Sequence, residues 1–84
     1  MSYKVTWRPS AEQQLAGLWV NASDQNDVGA AADRIDDLLE RGPLGVGAIR
    51  FGASRTLLVP PLVVYYDMDQ NAREVLVWAV WRRA

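Results

Sequence analysis

The sequence predicts one α+β domain in the order β-α-α-β-β-β, with a helical hairpin on one face of an antiparallel sheet. Two helical stripes occupy the first half of the chain, and β-rich runs separated by short turns occupy the second half. Strands joined by short turns pair antiparallel, and two helices in succession pack as a hairpin. At 84 residues the chain forms one domain, 1–84, with a thin core.

The first half begins with a strand and continues with two helices. Residues 3–7 combine β-formers with an alternating pattern, which is typical of a strand. Ser10 and Gln13 match a capping box, so a helix is predicted near 10–20. A second amphipathic helix, with an apolar stripe and an acidic outer face, is predicted at about 25–41.

The second half is predicted to be almost entirely β-structure. A glycine-rich stretch at 42–47 is expected to form a flexible turn. Strands are predicted at 55–59, 62–68 and 74–81, and 49–51 is a candidate for an additional short strand.

The last two strands are unusual because they do not alternate between apolar and polar residues; they contain LVVYYDM and VLVWAVW. An antiparallel sheet with one solvated face alternates, and two short helices cover only one face. The other face is therefore predicted to carry an apolar strip that a partner covers. The alternative is that the first strand and the 42–54 loop fold over it. Counting alternate residues places the following on this helix-free face, with arginines at its edge: Val63, Tyr65, Val77, Trp81, Arg50, Arg55 and Arg83.

The amino-acid composition excludes several kinds of catalytic and metal site. The chain has no Cys and no His, which excludes disulfides, a thiolate nucleophile and a cysteine zinc site, and removes the commonest general base. No metal site or cofactor is predicted. No apolar run approaches the length of a membrane span or a signal sequence, so a cytoplasmic protein without a membrane partner is expected.

The charge is divided unevenly along the chain. Residues 1–42 contain four basic and seven acidic side chains, whereas residues 43–84 contain five arginines and three acidic side chains. Guanidinium groups bind phosphate and carboxylate alike, so the second half suits RNA or an acidic protein. Ordinary solvated charge is the alternative.

The sequence resembles toxins of the RelE/ParE superfamily from type II toxin–antitoxin systems. The resemblance spans the chain in order and is carried by YKVTWRPSAEQQL, LLERGP, RTLLVPPLVVYYDMD and VLVWAVWRR. It implies a microbial RNase-like fold and a cognate antitoxin that wraps the sheet and helices. It also implies one of two targets, because RelE-like members cut mRNA in the ribosomal A site and ParE-like members inhibit DNA gyrase without cutting.

The resemblance also implies where an RNase site would lie. RelE-like chemistry needs no metal; it uses basic groups to hold the developing phosphate charge and an acid to protonate the leaving oxygen. Basic positions of the family fall on Leu57 and Val63 here, and losing one such group typically costs ~10²–10³-fold in rate. The catalytic candidates, including a substitute acid, are Arg55, Tyr65, Arg82 and Arg83.

Three interpretations follow from the sequence. The favoured one is a toxin-like component of a type II toxin–antitoxin (plasmid stabilisation) system, neutralised by an antitoxin, with weak or no RNase activity. The second is a ribosome-dependent mRNA endoribonuclease with an arginine and tyrosine site. The third is a non-toxic domain that forms a homodimer through its sheet face. The sequence does not decide whether the protein is an enzyme; if it is one, a metal-independent endoribonuclease is expected.

Overall fold

The computed structural model describes residues 2–51 and 54–83, with the side chains of 48–51 outside the described part, and confirms the predicted fold class. Five strands form one sheet in the order β1-β5-β4-β3-β2. The elements are β1 (Lys4–Trp7), α1 (Pro9–Val20), α2 (Gln25–Arg41), α3 (Pro43–Val46), β2 (Ala48–Phe51), β3 (Ser54–Val59), β4 (Leu62–Asp69) and β5 (Glu74–Arg82).

The sheet is mixed, which differs from the wholly antiparallel sheet that the sequence predicts. Strands β2 to β5 pair antiparallel in succession, but β1 pairs parallel with β5. A parallel pair needs a long crossover, and the chain between β1 and β5 supplies one through three helices and three strands. Local turn signals carry no information about a partner so distant in sequence.

Both helices pack on the same face of the sheet, as predicted. One hydrophobic cluster unites their buried residues with alternate residues of the strands. Its buried members are Ala11, Val28, Ala31, Ile35, Leu39, Leu57, Leu62, Val64, Tyr66, Val75, Val77 and Val80. This side of the sheet is therefore the core.

The start of α1 differs from the predicted capping box. The helix begins at Pro9, with Arg8 at the N-cap, and no side chain caps it. Proline suits the first helical position because that position has no intrahelical partner for an N–H. Ser10 therefore lies inside the first turn, and its predicted capping role is wrong.

The stretch predicted as a flexible turn contains α3, which is tied to the core. The buried Tyr66 hydroxyl donates a hydrogen bond to the Pro43 carbonyl oxygen over 2.7 Å. Burial raises the pKa of Tyr66, so its hydroxyl stays protonated and able to donate. A Cβ at Gly47 would overlap this hydroxyl, so the close approach requires glycine.

A β-bulge in β5 changes which residues share a face. Tyr66 pairs with Val77, but Tyr65 pairs with Ala79, so Trp78 is one extra residue in β5. Such an insertion shifts the alternation of the strand beyond it. Val75 and Val77 face the helices before the bulge, and Val80 does so after it.

Candidate partner-binding surface

The face of the sheet opposite α1 and α2, called the open face below, carries most of the candidate partner-binding residues. It is built from the strand residues that alternate with those of the core, and the strand register pairs them across the sheet. Its central members are Thr56, Leu58, Val63, Tyr65, Asp67, Leu76, Trp78, Ala79 and Trp81.

Three aromatic rings form a cluster on the open face. The Tyr65 ring lies 5.3 Å from the Trp78 ring in an edge-to-face arrangement, and 4.6 Å from the Trp81 ring in a tilted one. Each such pair contributes about 0.5–1.5 kcal/mol beyond its buried area. Ala79, which pairs with Tyr65, is buried but lies outside the helix-side core cluster. The bulge at Trp78 thus brings the three rings together.

An apolar strip continues from this cluster across three strands. Trp81 pairs with Val63, and Val63 pairs with Leu58 on the next strand. Trp81 and Leu58 are 44% and 45% exposed, which is high for such large apolar side chains. The strip therefore presents apolar surface that the rest of the fold leaves accessible.

The opposite end of the open face is polar. The Ser54 hydroxyl donates to Asp67 Oδ1 over 2.6 Å. Lys4 pairs with Glu74 in the register of β1 and β5. The open face therefore has one apolar end and one polar end.

Two polar atoms beneath the open face lack hydrogen-bond partners among the described residues: Thr56 Oγ1 and Trp78 Nε1. Each such buried atom costs about 1–3 kcal/mol. Both atoms belong to side chains of the open face.

Three of the predicted partner-binding residues lie on the open face, and one lies on the helix side of the sheet. The three on the open face are Val63, Tyr65 and Trp81. The assignment of Val77 to this face is wrong, because Val77 is fully buried under the helices opposite Tyr66. Counting alternate residues fails at the bulge, which the sequence does not reveal. The side chain of Arg50 lies outside the described residues.

Arg55 also lies on the side opposite to the predicted one. It pairs with the core residue Tyr66, and its Nη1 donates to the carbonyl oxygen of Gly47 over 3.4 Å. Its placement at the edge of the helix-free face is therefore wrong. The register between β3 and β4 decides the side of Arg55, and the sequence does not give that register.

Arg82 is held on the helix side by an ion pair. Its Nη1 and Nη2 donate to the two carboxylate oxygens of Asp24 over 2.9 Å and 2.8 Å. These hydrogen bonds are the main reason why the pKa of Asp24 is lowered and the pKa of Arg82 is raised. Asp24 occupies the N-cap of α2, but its carboxylate accepts hydrogen bonds from Arg82 and does not cap the helix.

The four catalytic candidates therefore do not converge. Tyr65 lies on the open face, whereas Arg55 and Arg82 are bound to groups on the helix side. Arg83 is exposed beyond the end of β5, where its backbone N–H donates to the Pro61 carbonyl oxygen over 2.7 Å. Of the three arginines, Arg83 is the one whose side chain makes no hydrogen bond to a helix-side group within the described residues.

Leu58 and Trp78 lie on the open face but are not among the residues that the sequence predicts there. Leu58 joins the strip because it pairs with Val63, a pairing that needs the register of β3 and β4. For Trp78, a signal was present: a strand with apolar residues at every position must place some of them away from the core.

No group of three or more His, Cys, Asp or Glu side chains among residues 2–51 and 54–83 could hold a metal ion. None of the helices described is long and apolar enough to cross a membrane.

Solved structures of toxin–antitoxin complexes are similar to this chain over nearly its whole length. A chain of the RelBE2 toxin–antitoxin complex from Mycobacterium tuberculosis matches with a TM-score of 0.80 and 22% identity, covering 99% of this chain and 100% of that one. A chain of the ParDE system from P. aeruginosa matches with a TM-score of 0.72 and 15% identity, covering 99% and 98%. A chain of the archaeal RelE–RelB complex from Pyrococcus horikoshii OT3 matches with a TM-score of 0.69 and 14% identity, covering 100% and 98%.

Comparison by sequence gives no such match, since no family model and no curated protein matches the chain. The structural matches show that the chain has the fold of RelE/ParE-type toxins.

Proposed function

We propose that this chain is the toxin component of a type II toxin–antitoxin pair. An antitoxin neutralises it by covering the open face, and the chain inhibits its own target by binding and not by cutting RNA. The observation that carries the proposal is the apolar strip of Leu58, Val63 and Trp81 beside the aromatic cluster, on a fold shared with chains of toxin–antitoxin complexes.

The strip suits an antitoxin segment that folds as it binds. An extended or amphipathic segment buries its apolar side chains against such a strip, and coupled folding and binding typically buries ~1,000–3,000 Å². Trp81 supplies the kind of large, partly exposed aromatic anchor that dominates binding energy at interfaces.

The placement of the arginines supports binding over cleavage. RNA cleavage requires cations to converge on the phosphate that the 2′-hydroxyl attacks. Arg55 and Arg82 donate to Gly47 and Asp24 on the helix side, so releasing either one for a phosphate on the open face breaks those bonds. Leu57 is buried in the core, so its side chain offers nothing to that phosphate either.

A defined ribosome assay tests the absence of cleavage. The purified chain is incubated with ribosomes paused on a known codon, and the mRNA is mapped by primer extension. We expect full-length mRNA, and we expect inhibition of DNA supercoiling when the chain is added to gyrase. Cuts in the A-site codon that disappear in Arg83→Ala or Tyr65→Phe would contradict the proposal and support the endoribonuclease.

The endoribonuclease is the second candidate because of one observation. Tyr65 lies on the open face, and the exposed Arg83 directly follows the last residue of β5. A tyrosine that protonates the leaving oxygen and one arginine that holds the phosphate charge are the minimum set of groups for RNA cleavage. The ribosome assay distinguishes this activity from a binding function.

A further inference from the structure

The outer edge of β5, which is the side of the strand away from β4, is only partly covered by β1. Strand β1 pairs with β5 from Glu74 to Val77, and the chain then turns into α1. Residues 78–82 of β5 therefore continue beyond the end of β1, and of the strands described none lies beside them on this edge. An uncovered strand edge presents unpaired N–H and C=O groups and is a template for pairing with another chain.

The hydrogen bonds of β5 show which backbone groups point to this edge. The Arg83 N–H donates to the Pro61 carbonyl oxygen on the β4 side, so the preceding residue, Arg82, points its N–H and C=O outward. The Val80 N–H also points outward, because its hydrogen-bond partner lies on α1. Val80 and Arg82 thus present their backbone groups to the edge, whereas Trp81 between them points its own toward β4.

A glutamine side chain caps one of these outward groups. Gln14 Oε1 accepts a hydrogen bond from the Val80 N–H over 3.1 Å. A backbone N–H can only donate, so the amide oxygen of Gln14 takes the place of a carbonyl oxygen from a neighbouring strand. Within the described residues, the Arg82 N–H has no such acceptor. Gln14 therefore closes the edge at one residue and leaves it open at the next outward residue.

A cleft of about 490 Å³ lies alongside this edge, between α1 and the end of β5. The residues that line it include Gln13, Gln14 and Gly17 of α1 and residues 80–82 of β5. A Cβ at Gly17 would meet no atom within 4 Å, so this part of the cleft is open. The edge beside the cleft is thus protected by the Gln14 hydrogen bond and not by a covering strand.

We propose that Gln14 is an edge guard, whose side chain keeps the outer edge of β5 from pairing with the same edge of a second copy. A second copy fits because the edge is self-complementary. In an antiparallel pair centred on Trp81, the outward groups of Val80 in one copy meet those of Arg82 in the other, as a two-fold axis requires. The two exposed Trp81 side chains then lie opposite each other on one face of the joined sheet.

Gln14 blocks this pairing because it already occupies the Val80 N–H that the Arg82 carbonyl oxygen of the second copy needs. The incoming strand has to break that bond before it forms its own. The proposal rests on the fold and not on the toxin function, since self-association is measured on the purified chain alone.

The test is Gln14→Leu, which removes the acceptor and changes the size of the side chain little. The matched control is Gln13→Leu, because Gln13 lines the same cleft and is also exposed, and the described residues include no hydrogen bond from it to β5. Sedimentation equilibrium should show Gln14→Leu self-associating at least about tenfold more tightly than the wild type or Gln13→Leu. Gln14→Glu keeps an acceptor for the Val80 N–H and should behave like the wild type.

Two further changes, made in the Gln14→Leu background, locate the contact. Arg82→Pro removes an outward N–H and should dissociate the dimer, because proline cannot donate to a strand partner. Arg82→Gln loses the same ion pair with Asp24 but keeps the N–H, so the dimer should remain. At concentrations where both chains are monomers, the Val80 amide should exchange with solvent more slowly in the wild type than in Gln14→Leu.

Circular dichroism checks that the variants are folded, and Gln14→Met, which also removes the amide oxygen, should repeat the result of Gln14→Leu. Three results would overturn the proposal: Gln14→Leu and Gln14→Met that associate no more than the wild type, equal association of Gln13→Leu, or a dimer that survives Arg82→Pro. The last result would mean that the two copies meet through another surface.

Discussion

At the residue scale, Gly47 shows how one missing side chain shapes the helix side of the sheet. A methyl group at this position would overlap the Tyr66 hydroxyl, which is already bonded to Pro43. Because Tyr66 is fully buried, its ring has no room to withdraw. We expect Gly47→Ala to lower the free energy of unfolding by about 1–3 kcal/mol, measured by urea denaturation.

The neighbouring Gly45 provides the control for that measurement. A Cβ at Gly45 meets no atom within 4 Å, and the residue lies within α3. Gly45→Ala should therefore be neutral or stabilise the fold slightly, since alanine favours helix. Equal costs at the two glycines would show that Tyr66 does not occupy the space beside Gly47.

A second residue-scale prediction concerns the pH dependence of the Asp24–Arg82 pair. The pKa of Asp24 is lowered in the folded state, so the pair stabilises the fold above the ordinary aspartate pKa of about 3.9. That stabilisation is lost as the pH falls through the lowered pKa of the folded state. The difference in Tm between wild type and Asp24→Asn should therefore be present at pH 6 and shrink below about pH 4.

The matched variant for this pair is Arg82→Gln, which removes the other partner of the same two hydrogen bonds. It should reproduce the pH dependence of Asp24→Asn. A Tm difference that stays constant from pH 6 to pH 3 would show that the ion pair does not act on stability.

At the element scale, β5 is the strand whose two faces the sequence predicts incorrectly. Counting alternate residues places Val77 and Val63 on one face, whereas the bulge at Trp78 places them on opposite faces. The same substitution at both positions tests this. Val77→Thr buries an unpaired hydroxyl in the core and should cost about 1–3 kcal/mol, whereas Val63→Thr on the half-buried open face should cost less than about 1 kcal/mol.

Thermal or urea unfolding of the two variants gives both values from one experiment. Similar costs at Val77 and Val63 would mean that the residues share a face and that β5 has no bulge. The placement of Trp81 on the open face would then be wrong as well.

The elements themselves were largely predictable from the sequence, but their partners were not. Apolar periodicity and turn residues locate α1, α2 and the strands β3 to β5 to within a residue or two. The parallel pairing of β1, the bulge in β5 and the register of Arg55 depend on contacts between distant parts of the chain. Local patterns carry no such information. The sequence therefore predicts that an apolar open face exists, but it identifies only some of the residues on that face.

At the scale of the whole molecule, the open face and the outer edge of β5 meet at Trp81. The open face joins an apolar strip to a polar end that contains Ser54 and Asp67. The outer edge of β5 is capped at Val80 by Gln14. Separate substitutions therefore test the two features, Trp81→Glu on the open face and Gln14→Leu at the edge.

The central claim is that the open face makes the chain a toxin that acts by binding. A growth assay with induced expression tests it most directly, comparing wild type with Trp81→Glu on the open face. The control is Leu44→Glu, which changes a side chain of similar exposure on α3. We predict that wild type and Leu44→Glu arrest growth, that Trp81→Glu accumulates as folded protein without arresting it, and that cellular mRNA carries no A-site cuts. Normal growth with wild-type protein, or undiminished arrest with Trp81→Glu, would contradict the account.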